Sequence, residues 1–454
     1  MKRNVILAVV SFLGLIIVAC NPVISKSTAT IQSVITGFHA ITSTPTVPLL
    51  HAFTWTSTPT HSQTPYLSVT PTVATTPMTV VPQLEPGSLI DLTWLDMLDA
   101  KNGWAIGGSH AGGNSSHVLR TVDGGASWIE VTPPVETKSI PDVVHFGFVG
   151  FAYDINTAWV TYAAGVSGRT PVNPIVWRTT DGGQTWRASP PFETDPESFI
   201  SVYILTFSTR NDGWMVTYDG AGLGTEYVNL YRSTDGGMNW QKIHEGNDAT
   251  SFQTCYVDHV VFADKLRGWY TGGCSAAPLT ASMGYTIDGG ISWHDIDLAT
   301  SVGNPDLFPM DWRQCGLSNP FVQQPKVVIG FSCRNDDGSA FAYNSLLIFN
   351  VDGTGWTYRA YPGGDISSLD GNKIWAFGWI NNRFDISRTE DAGKSWRKIA
   401  TVDWGGKLNF VSSTLGWALA KDDSEDIAKY WLYQTHDGGE SWGLVNPVAA
   451  ASGA

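Results

Sequence analysis

The sequence is poor in charged side chains, and basic ones are the scarcest. Only 15% of its 454 residues are Asp, Glu, Lys or Arg, against roughly 25% in an average soluble protein. This shortage excludes a coiled coil and a charge-rich disordered protein. From Glu85 onward the chain carries 24 basic and 41 acidic residues, a net charge of −17. Because such a body repels phosphate backbones, nucleic acid is not an expected partner.

Metal-ligand motifs are missing as well. No Cys-x-x-Cys or His-Glu-x-x-His spacing occurs, so we expect no metal and no other cofactor. The acidic run at residues 422–426 could hold Ca²⁺, but a solvated charge run is the simpler interpretation.

No apolar run is long enough for a comfortable bilayer span, yet the N-terminus has the features of an export signal. Lys2 and Arg3 precede an apolar run of 14 residues at 5–18, where a membrane-spanning helix needs about 20. A small residue then precedes Cys20, which resembles a bacterial lipobox. Residues 1–20 are predicted to be a lipoprotein signal peptide, with Cys20 lipidated at the outer side of the cell membrane. An ordinary cleaved signal is the alternative.

Residues 21–86 have the composition of a disordered stalk. They contain 16 Thr and 9 Pro, and no charged side chain lies between 27 and 84. Proline removes backbone donors, and the few apolar residues cannot offset the entropy of ordering this segment. We expect a linker that holds the folded body away from a membrane or through a wall.

Glycine and tryptophan are abundant, and they recur in a repeated motif. The chain has 47 Gly and 20 Trp, which favours short strands joined by tight turns. The motif is a nonapeptide of the general form Arg-Thr-x-Asp-Gly-Gly-x-Ser-Trp. It occurs in six complete copies and in a seventh, degenerate copy that runs from Asp352 to Trp356. Successive aspartates are 39 to 64 residues apart, about 52 on average, as in the blades of a β-propeller. The six complete copies carry Asp123 and Trp128, Asp181 and Trp186, Asp235 and Trp240, Asp288 and Trp293, Asp391 and Trp396, and Asp437 and Trp442.

A second motif, a Gly-Trp or similar pair, precedes each complete copy by 16 to 22 residues. Another apolar stretch precedes that pair, as at 143–146 and 260–262. Each repeat therefore supplies four strands. The sequence predicts an all-β, seven-bladed propeller of four-stranded antiparallel blades over 87–447, followed by a short tail at 448–454.

The segment that starts at the aspartate, Asp-Gly-Gly in five copies and Asp-Ala-Gly at 391–393, has the composition of a strand reversal. Glycine supplies the positive φ that the turn needs, and the aspartate can accept hydrogen bonds from nearby backbone amides. The tryptophan covers the turn with an apolar face. We predict a structural role for these residues, because seven equivalents on seven blades cannot share one pocket.

The pattern Ser/Thr-x-Asp-x-Gly-x-x-Trp resembles the Asp-box, or BNR repeat, of sialidases, tandem-propeller xyloglucanases and sortilin-type receptors. The longer period, with Gly-Trp-Ala-x-Gly at 103–107 before Arg-Thr-x-Asp-Gly-Gly-x-Ser-Trp at 120–128, resembles the photosystem II stability and assembly factor family. This resemblance covers about residues 88–447. It implies a non-enzymatic propeller outside the cytoplasm that binds unassembled subunits of a membrane complex.

In that family an arginine-bearing surface is associated with the partner. A row of guanidinium groups on successive blades could bind carboxylates of such a partner. The alternative is that each arginine stacks on a neighbouring tryptophan or pairs with an adjacent acid. Tyr285 and Gln434 replace the arginine in two copies. The arginine that opens the motif is present in four copies, as Arg120, Arg178, Arg232 and Arg388.

Four cysteines lie in two consecutive repeats. Cys255 and Cys274 are 19 residues apart, and Cys315 and Cys333 are 18 apart. Each pair spans one predicted hairpin, so the matched spacing favours the disulfides 255–274 and 315–333 in an oxidising compartment. Reduced buried thiols are the alternative.

An enzymatic function is not expected. The Arg-Ile-Pro signature of sialidases is absent, and their propeller has six blades. Asp-box xyloglucanases cleave between two propellers with paired carboxylates, and this chain has residues for one propeller. The candidate acids are Asp154, Asp219, Asp258 and Asp365.

We therefore expect an exported, membrane-anchored scaffold that binds protein partners. A carbohydrate-active propeller, as binder or hydrolase, is the alternative. The tryptophans available for sugar stacking are Trp312, Trp379, Trp404 and Trp431.

Overall fold

The computed structural model describes the repeat region of the chain, residues 83–451 with gaps. The predicted signal peptide and nearly all of the predicted stalk lie outside the described residues. Within them, no helix combines the length and apolar character needed to cross a membrane. The described residues are 83–110, 117–134, 143–166, 175–190, 201–222, 224–245, 252–274, 280–298, 315–334, 341–380, 383–422 and 429–451.

Seven antiparallel sheets follow one another along the chain, one for each repeat. Within each sheet the strands pair in chain order, because every strand is joined to the next by a hairpin. The first strand of each blade is the innermost, and the fourth is the outermost. The predicted all-β, seven-bladed propeller of four-stranded blades is confirmed.

The first four blades are regular. Their strands are β1 (Ile90–Met97), β2 (Gly103–Ser109), β3 (His117–Thr121) and β4 (Ser127–Glu130) in blade 1; β5 (Val143–Ala152), β6 (Ala158–Val166), β7 (Val176–Thr179) and β8 (Arg187–Ala188) in blade 2; β9 (Ser201–Phe207), β10 (Gly213–Gly222), β11 (Thr225–Ser233) and β12 (Gln241–His244) in blade 3; and β13 (Tyr256–Phe262), β14 (Gly268–Cys274), β15 (Thr280–Thr286) and β16 (His294–Asp295) in blade 4.

Blade 5 has a divided first strand, and a last short strand follows blade 7. The strands are β17 (Cys315–Leu317), β18 (Phe321–Gln323), β19 (Lys326–Arg334), β20 (Phe341–Asn350) and β21 (Thr357–Ala360) in blade 5; β22 (Asp365–Ser368), β23 (Ile374–Ile380), β24 (Arg383–Thr389) and β25 (Arg397–Val402) in blade 6; β26 (Gly405–Phe410), β27 (Gly416–Asp422), β28 (Lys429–Thr435) and β29 (Gly443–Val445) in blade 7; and β30 (Val448–Ala449).

The propeller has two faces, which carry different connections between the strands. The turn face carries the Asp-box turn between the third and fourth strands of each blade, which is Asp-Gly-Gly in five of the seven blades, together with the turn between the first and second strands. These two turns touch, as where the Gly236 amide donates to the Asn211 carbonyl at 2.8 Å. The opposite loop face carries the connection between the second and third strands of each blade and the connections from blade to blade.

Tryptophans of the second strands hold neighbouring blades together. Trp214 of blade 3 is fully buried, and its ring lies 3.5 Å from the ring of Phe262 in blade 4 in a parallel stack. Its Nε1 donates to the Gly289 carbonyl, in the turn of that blade, at 2.8 Å. Equivalent stacks join Trp159 to Phe207 and Trp375 to Phe410.

The ring closes between blades 7 and 1. Trp417 of blade 7 donates its Nε1 proton to the Gly124 carbonyl of blade 1 at 3.0 Å. The chain then continues into β30, which pairs in parallel with β4, the outermost strand of blade 1. The predicted boundary at residue 447 therefore falls just before the last strand of the ring.

Blade 5 departs from the other blades, in agreement with its degenerate motif. Pro320 has no amide proton, and it lies in the gap that divides the first strand into β17 and β18. The second strand, β19, has no tryptophan to donate to blade 6. Arg359 of β21 takes over this function, because its Nη1 donates to the carbonyl of Ala392 in the turn of blade 6.

Candidate functional site

In each complete Asp-box, the carboxylate of the aspartate accepts hydrogen bonds from residues of its own turn. In blade 4 the Thr286 hydroxyl donates to Asp288 at 2.8 Å, and the amide and hydroxyl of Ser292 donate to the same carboxylate at 3.0 and 2.6 Å. Thr286 Oγ1 in turn accepts the Gly290 amide at 2.9 Å. The same arrangement holds the carboxylates of Asp123, Asp181, Asp235, Asp391 and Asp437.

These hydrogen bonds favour the charged form of the carboxylates. Burial raises the pKa of Asp437, but hydrogen bonds from Ser441 and Thr435 outweigh it and lower that pKa to about 2. The Ser395 hydroxyl and amide likewise hold the pKa of Asp391 far below its usual value. In the degenerate copy, Asp352 accepts from Thr354 alone at 2.6 and 2.9 Å.

Lowered carboxylate pKa values make the propeller acid-sensitive. A depressed folded-state pKa stabilises the fold above the unfolded value of about 3.9, and that stabilisation is lost as the pH falls through the folded-state pKa. We expect the urea midpoint to fall between about pH 4 and pH 2. Asp437→Asn should flatten part of this dependence, because it removes one of the carboxylates with a lowered pKa. Identical profiles for Asp437→Asn and wild type would contradict this assignment.

The four box arginines lie between blades. The Arg178 guanidinium carbon is 5.4 Å from the centre of the Trp159 ring, and a Cβ atom on Gly236, at φ 78°, would lie 2.0 Å from Arg178 Nη1. Arg232 and Arg388 stack in the same way on the tryptophans of their own blades. Among the described residues, the Nε atoms of all four arginines, Arg120 included, are buried without a hydrogen-bond partner. Their binding of a partner stays a prediction.

The candidate acids do not form one group. Asp154 lies on the turn face, where it pairs with Arg210 at 2.5 Å and accepts the amides of Asn156 and Thr157. Asp258 and Asp365 lie on the innermost strands of blades 4 and 6 and interact electrostatically. Asp219 lies on β10, and its Oδ1 is buried without a hydrogen-bond partner in the described part of the chain.

Three of the four candidate sugar-stacking tryptophans lie in the described part of blades 6 and 7. Trp404 packs within the core between blades 6 and 7, stacked on Tyr433 at 4.9 Å. Trp379 contacts Phe384 edge to face, Trp431 lies on β28, and Trp312 lies outside the described residues, as do residues 423–426 of the acidic run. No group of three metal-ligating side chains occurs among the residues that are described.

Two disulfides cross-link neighbouring strands at the loop face, one in blade 4 and one in blade 5. Cys255 is bonded to Cys274, and Cys315 to Cys333. Each joins the start of the blade's first strand to the end of the strand beside it, which is the pairing that the sequence spacing favours.

Next to the first disulfide an open cleft of about 310 Å³ lies on the loop face. It is lined by Tyr203, Tyr218, Glu226, Tyr256, Val257 and Asp258, and we call it the tyrosine–carboxylate cleft. These residues belong to β9, β10 and β11 of blade 3 and β13 of blade 4. Another opening, of about 240 Å³, surrounds the blade 6 box, where Asp391 and Ser395 are already hydrogen-bonded to each other.

The cleft concentrates negative charge. Burial raises the pKa of the Glu226 carboxyl, and the charge of Asp258 raises it further. Burial also raises the pKa of Asp258, to which Asp365 adds. The pKa of the Tyr203 hydroxyl is raised by burial, by Glu226 and by Asp258. A positive charge bound in the cleft would stabilise the ionised carboxylates of Glu226 and Asp258.

Sequence reasoning found only one residue of this cleft, Asp258. The three tyrosines and Glu226 carry no motif, because they come together only through the pairing of strands in two blades. Cys255, beside Tyr256, was the one available signal, since its disulfide fixes the cleft wall.

Comparison with known proteins agrees with the repeat. The family model of the BNR/Asp-box repeat matches residues 231–242. A xyloglucanase from Paenibacillus sp is 24% identical over 214 residues, which are 45% of this chain and 20% of the xyloglucanase. The chain thus spans about a fifth of that relative's length.

Solved structures with similar folds have low sequence identity. The structure described as "YCF48 bound to D1 peptide" has a TM-score of 0.45 and 17% identity, over 78% of this chain and 95% of that chain. The GH74 xyloglucanase from Xanthomonas campestris has a TM-score of 0.47 and 14% identity, over 81% of this chain and 55% of that chain. One of the six complete copies is matched, and the other five share its hydrogen bonds, so the turns of this seven-bladed β-propeller are similar to the BNR/Asp-box repeat.

Proposed function

We propose that the propeller is an extracytoplasmic, membrane-anchored scaffold that binds protein partners on its loop face. The observation that carries this proposal is the tyrosine–carboxylate cleft, an open site with three tyrosines. Tyrosine is enriched in protein interfaces because its ring gives a large contact area and its hydroxyl a hydrogen bond. Export and anchoring through Cys20 are parts of the proposal that rest on the sequence.

The residues that recur in the repeats have structural roles, which supports binding of a partner rather than catalysis. The box aspartates accept hydrogen bonds within their turns, and the second-strand tryptophans hold blades together. Three of the four box arginines, Arg178, Arg232 and Arg388, stack on those tryptophans. We place the partner on the loop face because the tyrosine–carboxylate cleft lies there. Assembly of a membrane complex, as the resemblance to photosystem assembly factors implies, is the specific form of this proposal.

A carbohydrate-active propeller is the second candidate, favoured by the acids of the cleft. A carboxyl with a raised pKa can act as a general acid, and glycoside cleavage uses two carboxyls. Glu226 and Asp258 both have raised pKa values. For this candidate we propose xyloglucan as the substrate, after the name of the xyloglucanase that resembles 45% of this chain.

Affinity capture separates the two candidates. The full-length protein is crosslinked in membranes of the source organism and recovered, beside the double variant Tyr218→Ala/Tyr256→Ala and the turn-face control Tyr153→Ala. We expect a specific protein to be recovered with wild type and Tyr153→Ala but not with the cleft variant. In parallel, purified protein is incubated with xyloglucan. Sugar release or recovery of polysaccharide without protein would overturn the scaffold proposal.

A further inference from the structure

The tyrosine–carboxylate cleft also indicates the chemistry of its ligand, an inference that rests on the proposed partner binding. We propose that the cleft binds a positively charged side chain, lysine or arginine, presented by a segment of the partner protein. Four features of the cleft carry this proposal.

The first feature is the aromatic lining. Tyr203, Tyr218 and Tyr256 come from three strands and surround one opening. A guanidinium or ammonium group is attracted to the negative face of an aromatic ring, most strongly where water is partly excluded. The chain uses the same interaction internally, where Lys242 lies 5.8 Å from the centre of the Tyr231 ring.

The second feature is uncompensated negative charge. In the described part of the chain, the carboxylates of Glu226 and Asp258 form no ion pair and accept no hydrogen bond. Two such groups close together repel each other, and a bound cation would relieve this repulsion. An anionic ligand would increase it. The cleft therefore selects for positive charge.

The third feature is an unpaired hydroxyl. The Tyr203 oxygen is buried without a hydrogen-bond partner among the described residues. A buried polar atom without a partner costs free energy, and the N–H groups of a lysine or arginine side chain would supply the missing donor. An apolar ligand would leave both this oxygen and the carboxylates without partners.

The fourth feature is rigidity. The Glu226 amide donates to the Cys255 carbonyl at 2.7 Å, which ties the blade 3 hairpin to blade 4. Cys255 is itself fixed by its disulfide to Cys274. A site held in this way loses little conformational entropy when it binds.

Fluorescence anisotropy with a labelled peptide tests the inference. The probe alternates glycine with arginine, and the control peptide carries citrulline, which has a similar shape without the charge. We expect the full-length protein to bind the arginine peptide at least about tenfold more tightly than the citrulline peptide, since a desolvated cation–π contact and a charged hydrogen bond each contribute on this scale.

Variants locate the binding. Asp258→Asn and Tyr218→Leu should each weaken arginine-peptide binding by about tenfold, whereas Tyr218→Phe and the turn-face control Glu440→Gln should not. Unchanged melting temperatures exclude misfolding. Equal affinity for the two peptides, or no binding by the wild type, would overturn the inference. If the partner is captured but the arginine peptide does not bind, the scaffold proposal stands and only the cation inference falls. If the arginine peptide binds but no partner is captured, the scaffold proposal falls and the preference of the cleft for a cation stands.

Discussion

Replacing Trp417 by alanine is expected to lower the free energy of unfolding by about 3–5 kcal/mol, the usual cost of truncating a buried tryptophan. Its side chain is fully buried between blades 7 and 1. Its Nε1 donates to the Gly124 carbonyl at 3.0 Å. The cost is large because this residue closes the ring, and the variant leaves a cavity and removes the shorter of the two hydrogen bonds that the Gly124 carbonyl accepts.

Trp379→Ala is the matched control for this prediction. Trp379 is only half-buried, and its ring contact is with Phe384 in the same blade. Urea unfolding followed by circular dichroism should show a much smaller loss. If the two variants were destabilised equally, Trp417 would have no special role in ring closure.

Loss of the Cys255–Cys274 disulfide is expected to lower the free energy of unfolding by about 3 kcal/mol, the loop-closure entropy for a loop of this length. The cysteines are 19 residues apart. The double variant Cys255→Ala/Cys274→Ala should also bind partner more weakly, because the Cys255 carbonyl holds Glu226 in the cleft wall. Urea unfolding and affinity capture measure the two effects.

The second disulfide provides the control. Cys315 and Cys333 are 18 residues apart, so Cys315→Ala/Cys333→Ala should lose about as much stability. Because this disulfide lies in blade 5, away from the cleft, partner capture should be unaffected. Loss of capture in both double variants would show that general destabilisation, rather than the cleft wall, controls binding.

The number of blades and both disulfides could be predicted from the sequence, because each depends on local spacing. The turn at Asp288 forms within seven residues, from Thr286 to Ser292, so the spacing between boxes gives the length of one blade. The cysteine pairs bridge neighbouring strands of single blades. Local chemistry of this kind is visible along the chain.

Contacts between blades could not be predicted in the same way. Arg359, which replaces the missing tryptophan donor of blade 5, lies outside the repeated motif. The tyrosine–carboxylate cleft joins Tyr203, Glu226 and Tyr256 across two blades, and their positions along the chain carry no shared pattern. The pairing of β30 with blade 1 depends on ring closure, a property of the whole fold.

Site-specific photocrosslinking tests the central claim, that the loop face binds and the turn face is structural. A photoreactive amino acid is placed at Tyr218 in the cleft or at Tyr153, which is 42% exposed on the turn face. The full-length protein is then irradiated in membranes of the source organism. We predict one protein crosslinked through position 218 and none through position 153. Crosslinking of the same protein through position 153 alone would contradict the account.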